Sequence, residues 1–143
     1  MIVIDATDAI IGRLGTYVAK KVIENETVVI VNAEKAVFSG TAEYVTGIYF
    51  RRRQMTDKSN PDHGAKWPRR PDILLKRIIR GMLPKRNTRM KAAMAKLRIY
   101  MGKPSEVKDT AEPFRDLGKD RARTCVSLED VCERLGWKAP KAA

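Results

Sequence analysis

Two short, almost wholly apolar segments, residues 1–4 (MIVI) and 27–31 (TVVIV), constrain this chain more than anything else in it. Between them, Ile11, Leu14, Val18 and Val22 recur at spacings of three and four, the period of an amphipathic helix. Strand, helix and strand within about 31 residues predict a right-handed βαβ unit with parallel strands, hence an α/β fold. The second strand lacks polar alternation, as expected when both faces of a parallel sheet are covered. Asp8 is expected to cap the helix, Gly12 to allow its close packing on the sheet, and Asn25-Glu26 to make the following turn.

Further along, residues 32–35 read as a turn and residues 36–38 as a short strand. A second helix opens at Gly40-Thr41, with Thr41 as cap and Tyr44, Val45, Ile48 and Tyr49 as its buried stripe, and ends in Arg51-Arg52-Arg53. Residues 57–71 (DKSNPDHGAKWPRRP) hold three prolines, one glycine and no periodicity, which predicts a long loop. Taken as a helix, residues 73–83 place Leu74, Leu75, Ile78, Ile79 and Met82 on one side and Lys76, Arg77 and Arg80 on the other. A shorter helix starting near Asn87 or Thr88 and a strand over residues 97–100 complete this part. Ser127 is expected to open a last helix with Leu128, Val131 and Leu135 inside, ended by Gly136. Seven residues apart, Cys125 and Cys132 would share one helix face as small apolar residues, too far apart to bridge.

The net charge of +12 is not spread evenly. Residues 73–105 carry ten bases and no acid, whereas residues 1–43 carry four bases against six acids and residues 106–143 eight against eight. Cations in mid-chain, threaded with apolar residues at helical spacing, form a folded basic surface instead of a charged tail, and such a surface suits nucleic acid. The expected RNA contacts are Arg51, Arg52 and Arg53; Lys58, Lys66, Trp67, Arg69 and Arg70 in the loop; and Lys76, Arg77, Arg80, Lys85, Arg86, Arg89, Lys91 and Lys103. Trp67, set among bases, either stacks on an unpaired base or folds onto the protein's own core.

Evidence for catalysis is absent. Gly12-Arg13-Leu14-Gly15 resembles half of a dinucleotide fingerprint, with Glu34 in the place of the ribose acid, but Asp5 and Asp8 flank the tight turn and would repel a pyrophosphate. The one histidine, His63, has no nucleophile motif beside it, and two cysteines with one histidine do not make a zinc site. No apolar run approaches the ~20 residues that span a bilayer, and no signal peptide opens the chain, so a cytoplasmic protein is expected. A nucleotide-binding enzyme and a DNA-binding protein are the alternative readings.

Asp5-Ala6, Gly12-Arg13-Leu14, residues 29–35 (VIVNAEK) with Gly40, residues 80–85 (RGMLPK) and residues 96–102 (KLRIYMG) together resemble the universal large-subunit ribosomal protein L-thirteen family over residues 1–102. The resemblance implies a three-layer α/β/α sandwich around a small, mainly parallel sheet, with a basic helical segment and a C-terminal helical extension. One domain over residues 1–143 is expected, with a core over 1–102 that includes the RNA-facing loop 57–71 and an extension over 103–143. The resemblance further implies a structural, non-catalytic protein without cofactor or small-molecule substrate, whose partners are large-subunit ribosomal RNA and neighbouring large-subunit proteins. Lys103-Pro104-Ser105-Glu106 stands where the bacterial form usually has a histidine-rich stretch, and the features around Trp67 and Cys125 are similar to the archaeal and eukaryotic branch. The lack of a long C-terminal helical extension favours the archaeal form.

Overall fold

The structure, a computed structural model, describes residues 1–84, 88–104, 107, 111–114 and 124–139, with the backbone alone for 88–91. β1 (Ile2–Asp5) pairs parallel with β2 (Val28–Val31), Ile2 opposite Val28. β2 pairs parallel with β4 (Leu97–Ile99), and β1 with a two-residue strand, β5 (Glu112–Pro113). The resulting order, β4-β2-β1-β5, is a small parallel sheet. β3 (Val37–Ser39) lies outside it and pairs antiparallel with β6 (Cys125–Ser127), Phe38 opposite Val126. Sequence patterning had placed neither β5 nor the partner of β3: the first is too short to show a period, and the second joins segments far apart in the chain.

Alternation along the strands divides the core. Ile4, Val28, Ile30 and Leu97 belong to a large cluster with side chains from every described α-helix. Val3, Val29 and Val31 point the other way and are covered by Tyr100, Val107 and Ala111. All four residues of β2 are therefore buried. The α/β class and the mainly parallel sheet are as expected. Among the described residues, the second face is covered by chain following β4, with all described α-helices contributing to the first.

The helix α1 (Ile11–Ile23) buries Ile11, Leu14, Val18 and Val22. Its start corrects two expectations. Asp8 sits in the left-handed region at φ 56°, which a short polar side chain tolerates, and Ile10, without a capping side chain, precedes the helix. Gly12 is exposed, with no heavy atom within 4 Å of where a Cβ would stand. The close approach belongs to Gly15, where a Cβ would lie 2.8 Å from Met82 Sδ and 2.9 Å from its Cε.

The helix α2 (Ala42–Gln54) buries Val45 and Tyr49, while Tyr44 is 68% exposed, so the expected stripe loses its first residue. Thr41 occupies the N-cap position but its side chain makes no capping bond. The helix α3 (Pro71–Gly81) starts with proline at its first position, where a missing N–H costs nothing. It buries Leu74, Leu75 and Ile79; Ile78 is half-buried, and Met82, just past the helix, is 41% exposed. The helix α4 (Thr88–Ala95) puts Ala93 into the core. The last helix, α5 (Leu128–Arg134), is capped by Ser127, whose Oγ accepts from Asp130 N at 3.1 Å. Cys132 is buried in α5, where burial first and the charges of Asp72 and Glu129 second push its thiol up to about 12. Cys125 lies on β6, so the two cysteines do not share a helix face. Leu128, Val131, Cys132 and Leu135 join the large cluster, which roots α5 in the core.

Candidate nucleic-acid interface

The carboxyl ends of β1 and β2 show what the acids near the turn do. Asp5 Oδ1 accepts from Thr7 N (2.9 Å), Thr7 Oγ1 (2.6 Å) and Asn32 Nδ2 (3.0 Å). Burial raises the Asp5 carboxyl, but these hydrogen bonds and the charge of Lys35 outweigh it and hold the group below its usual value. Asn32 N donates to Gly102 O at 3.0 Å and Ala33 N to Tyr100 O at 3.1 Å. Both oxygens of Glu34 accept from Gly102 N, at 3.2 and 3.0 Å, with Gly102 in the left-handed region at φ 67°. Asp5, residues 32–34 and Gly102 thus tie β1, β2 and the exit from β4 into one lock. Glu34→Ala should lower folding stability by roughly 1–3 kcal/mol, because it leaves a part-buried N–H without its charged acceptor. A change in denaturant midpoint near zero would remove this role.

The end of α2, the loop before α3 and α3 itself carry most of the described basic side chains, which, with Lys103 beyond β4, divide into two sets. In one set the guanidinium is engaged by the protein. Arg53 Nη1 donates to Leu135 O at 2.9 Å and Arg69 Nη1 to Gly136 O at 3.4 Å, so both hold the carbonyl end of α5. Arg70 forms a two-point pair with Asp72, Nε to Oδ1 at 3.2 Å and Nη2 to Oδ2 at 2.8 Å. Arg77 Nη1 donates to Lys66 O at 2.6 Å, and its Cζ stands 4.2 Å from the centre of the Trp67 ring. Arg52 Cζ lies 5.0 Å from the same ring and 5.4 Å from that of Tyr49. Trp67 is half-buried against the large cluster and meets Tyr49 edge-on at 5.8 Å.

The second set is exposed: Arg51, Lys58, Lys66, Lys76, Arg80 and Lys103. The ion pairs of Lys21 with Glu24 and Glu26 and of Arg70 with Asp72 involve none of these six side chains. Lys76 and Arg80 are exposed on α3, whose Leu74, Leu75 and Ile79 are buried, so the packed face fixes where the cations stand. Lys85, Arg86 and the side chains of Arg89 and Lys91 lie outside the described residues.

The sequence had suggested no link between the basic segment and the C-terminal helix. Arg53 and Leu135 are 82 positions apart, and nothing local marks a guanidinium that will cap a distant helix. Arg53→Gln should therefore lower the melting temperature by a few degrees, since about 1–2 kcal/mol of hydrogen bonding to a part-buried carbonyl is lost. Its salt dependence of RNA binding should match the unaltered chain; a flattened dependence with unchanged melting would put Arg53 on the RNA instead.

Residues 1–106 match the family model described as ribosomal protein L13. The chain is 45% identical over 142 residues to a protein of Methanosarcina barkeri named large ribosomal subunit protein uL13, covering 96% of this chain and 99% of the relative. Proteins of the same name from Methanocaldococcus jannaschii and Natronomonas pharaonis are 42% identical over 139 residues and 41% over 137, covering 96% and 94% of this chain and 99% and 90% of the relatives.

Proposed function

The chain belongs to the ribosomal protein L13 family, and from that premise we propose that it is a structural constituent of the large ribosomal subunit, acting in the cytoplasm by binding ribosomal RNA. The family is one of structural ribosomal proteins and not of enzymes, and association with the ribosome is its common property. The single observation that supports RNA binding on this chain's own residues is a set of exposed cations with no ion pair among the described residues: Arg51 at the end of α2, Lys58 and Lys66 in the loop before α3, Lys76 and Arg80 on α3, and Lys103 beyond β4. Cations fixed by a core meet phosphates with less loss of side-chain freedom than those of a flexible tail. Lys85, Arg86, Arg89 and Lys91 extend the same basic segment in sequence and belong to the proposed contact set. Contacts of this kind select the shape and phosphate spacing of a folded RNA, with base reading secondary. Sedimentation with the large subunit through a high-salt wash is the expected result for the tagged chain in cells. Recovery in the ribosome-free fraction alone would overturn the proposal.

A further inference from the structure

We propose that Trp67 is a positioning residue: it gathers the guanidinium groups of Arg52 and Arg77 onto one ring and so presents them as a preformed clamp for a phosphodiester of RNA. This rests on the rRNA-binding reading above. Arg52 comes from the last turn of α2 and Arg77 from the middle of α3, yet both guanidinium carbons stand within 5.0 Å of the same ring centre. The ring is itself held. It is half-buried against the core and braced by the edge of Tyr49, whose own ring also lies under Arg52. Arg77 is fixed further by its bond to Lys66 O.

Two cations brought to one ring repel each other, and the ring's negative face offsets only part of that. Among the described residues neither arginine forms an ion pair. The pair is thus electrostatically unsatisfied in a fixed position. Arg77 spends one of its five N–H donors on Lys66 O, leaving the others for an anion. A phosphodiester oxygen supplies negative charge and lone pairs together, and arginine suits it better than lysine because the donors are rigidly arrayed. Stacking of a base on Trp67 fits less well, because the Arg77 guanidinium already occupies a ring face at 4.2 Å.

The test measures binding of the whole chain to a large-subunit rRNA fragment, well below each variant's melting temperature. Trp67→Leu should weaken binding about three- to tenfold, the scale of a lost cation–π arrangement, with the salt slope unchanged because no charge is removed. Trp67→Phe, which keeps a ring face, should stay within about twofold. In an Arg52→Gln/Arg77→Gln chain, Trp67→Leu should cause no further loss. In a Trp137→Phe chain, where Trp67 is the remaining tryptophan, emission should hold steady on binding. The same loss in the double-glutamine chain, or strong quenching on binding, would overturn the proposal in favour of base stacking. Unchanged affinity of Trp67→Leu beside normal binding by the unaltered chain would overturn it in favour of a core role alone, leaving the parent reading intact. No binding by the unaltered chain would overturn both.

Discussion

Leu75→Gln should cost about 3–5 kcal/mol of folding stability. Leu75 is 0% exposed on α3 and belongs to the large core cluster that also holds side chains of α1 and the sheet. The substitution gives up the transfer energy of a fully buried leucine, roughly 1.5–3 kcal/mol, and buries an amide whose lost hydrogen bonds cost about 1–3 kcal/mol more. Set against the roughly 5–15 kcal/mol of a typical domain, this takes the chain close to unfolding. Lys76→Gln, one residue on but exposed, should stay within about 0.5 kcal/mol. Chemical denaturation of the pair checks this: a midpoint shift for Leu75→Gln no larger than that for Lys76→Gln would mean that the faces of α3 are reversed. Loss of RNA binding by Leu75→Gln should follow the unfolded fraction, with the salt slope of the folded remainder unchanged.

The parts of the fold legible in the sequence are those whose signal is local and repeated. The βαβ unit follows from two apolar strands and a helix whose four stripe residues are all buried. The helix of the basic segment follows from Leu74, Leu75 and Ile79, and α5 from the serine that caps it. Expectations failed where a single residue carried the inference. Gly12 and Gly15 are three positions apart in one helix, and only a neighbour's side chain, Met82, decides which one is pressed. Tyr44 continues the stripe of α2 by spacing, but it stands 68% exposed. The spacing of seven between Cys125 and Cys132 suits one helix face, but Cys125 lies on the three-residue strand β6, which runs directly into α5.

The candidate site was legible as a charge distribution and illegible as a geometry. Counting cations identified the basic segment and its flanks. Counting could not separate Arg53, Arg69 and Arg70, which the protein itself engages, from Lys76 and Arg80, which it leaves free. That division depends on carbonyls at Leu135 and Gly136 and on where Asp72 falls beside Arg70 in the first turn of α3. The residues that resemble the family illustrate the same point. Asp5, Glu34 and Gly102 are far apart in sequence, and hydrogen bonds connect them through Asn32 into one structural lock.

The division between engaged and free cations makes the largest functional prediction. A chain with Arg51, Lys76, Arg80 and Lys103 all replaced by Gln should bind a large-subunit rRNA fragment about two to three orders of magnitude more weakly at physiological salt, with its salt slope flattened by roughly 3 units. The figure follows from counterion release: each neutralised phosphate contributes about 0.7–0.9 to the slope of log affinity against log salt, and these four cations are exposed with no ion-pair partner among the described residues. Its melting temperature should hardly move, because no core atom or internal hydrogen bond changes. Arg53→Gln/Arg70→Gln is the matched control on the same surface: it removes a bond to Leu135 O and the pair with Asp72, so it should melt earlier while keeping its slope. Both chains lose positive charge, so a purely nonspecific effect of net charge would flatten both slopes in proportion to the number of cations removed. Flattening confined to the fourfold chain is the expected result. Equal flattening per charge in both chains would mean that the slope follows net charge alone, and that the exposed cations are not the ones selected by the fold.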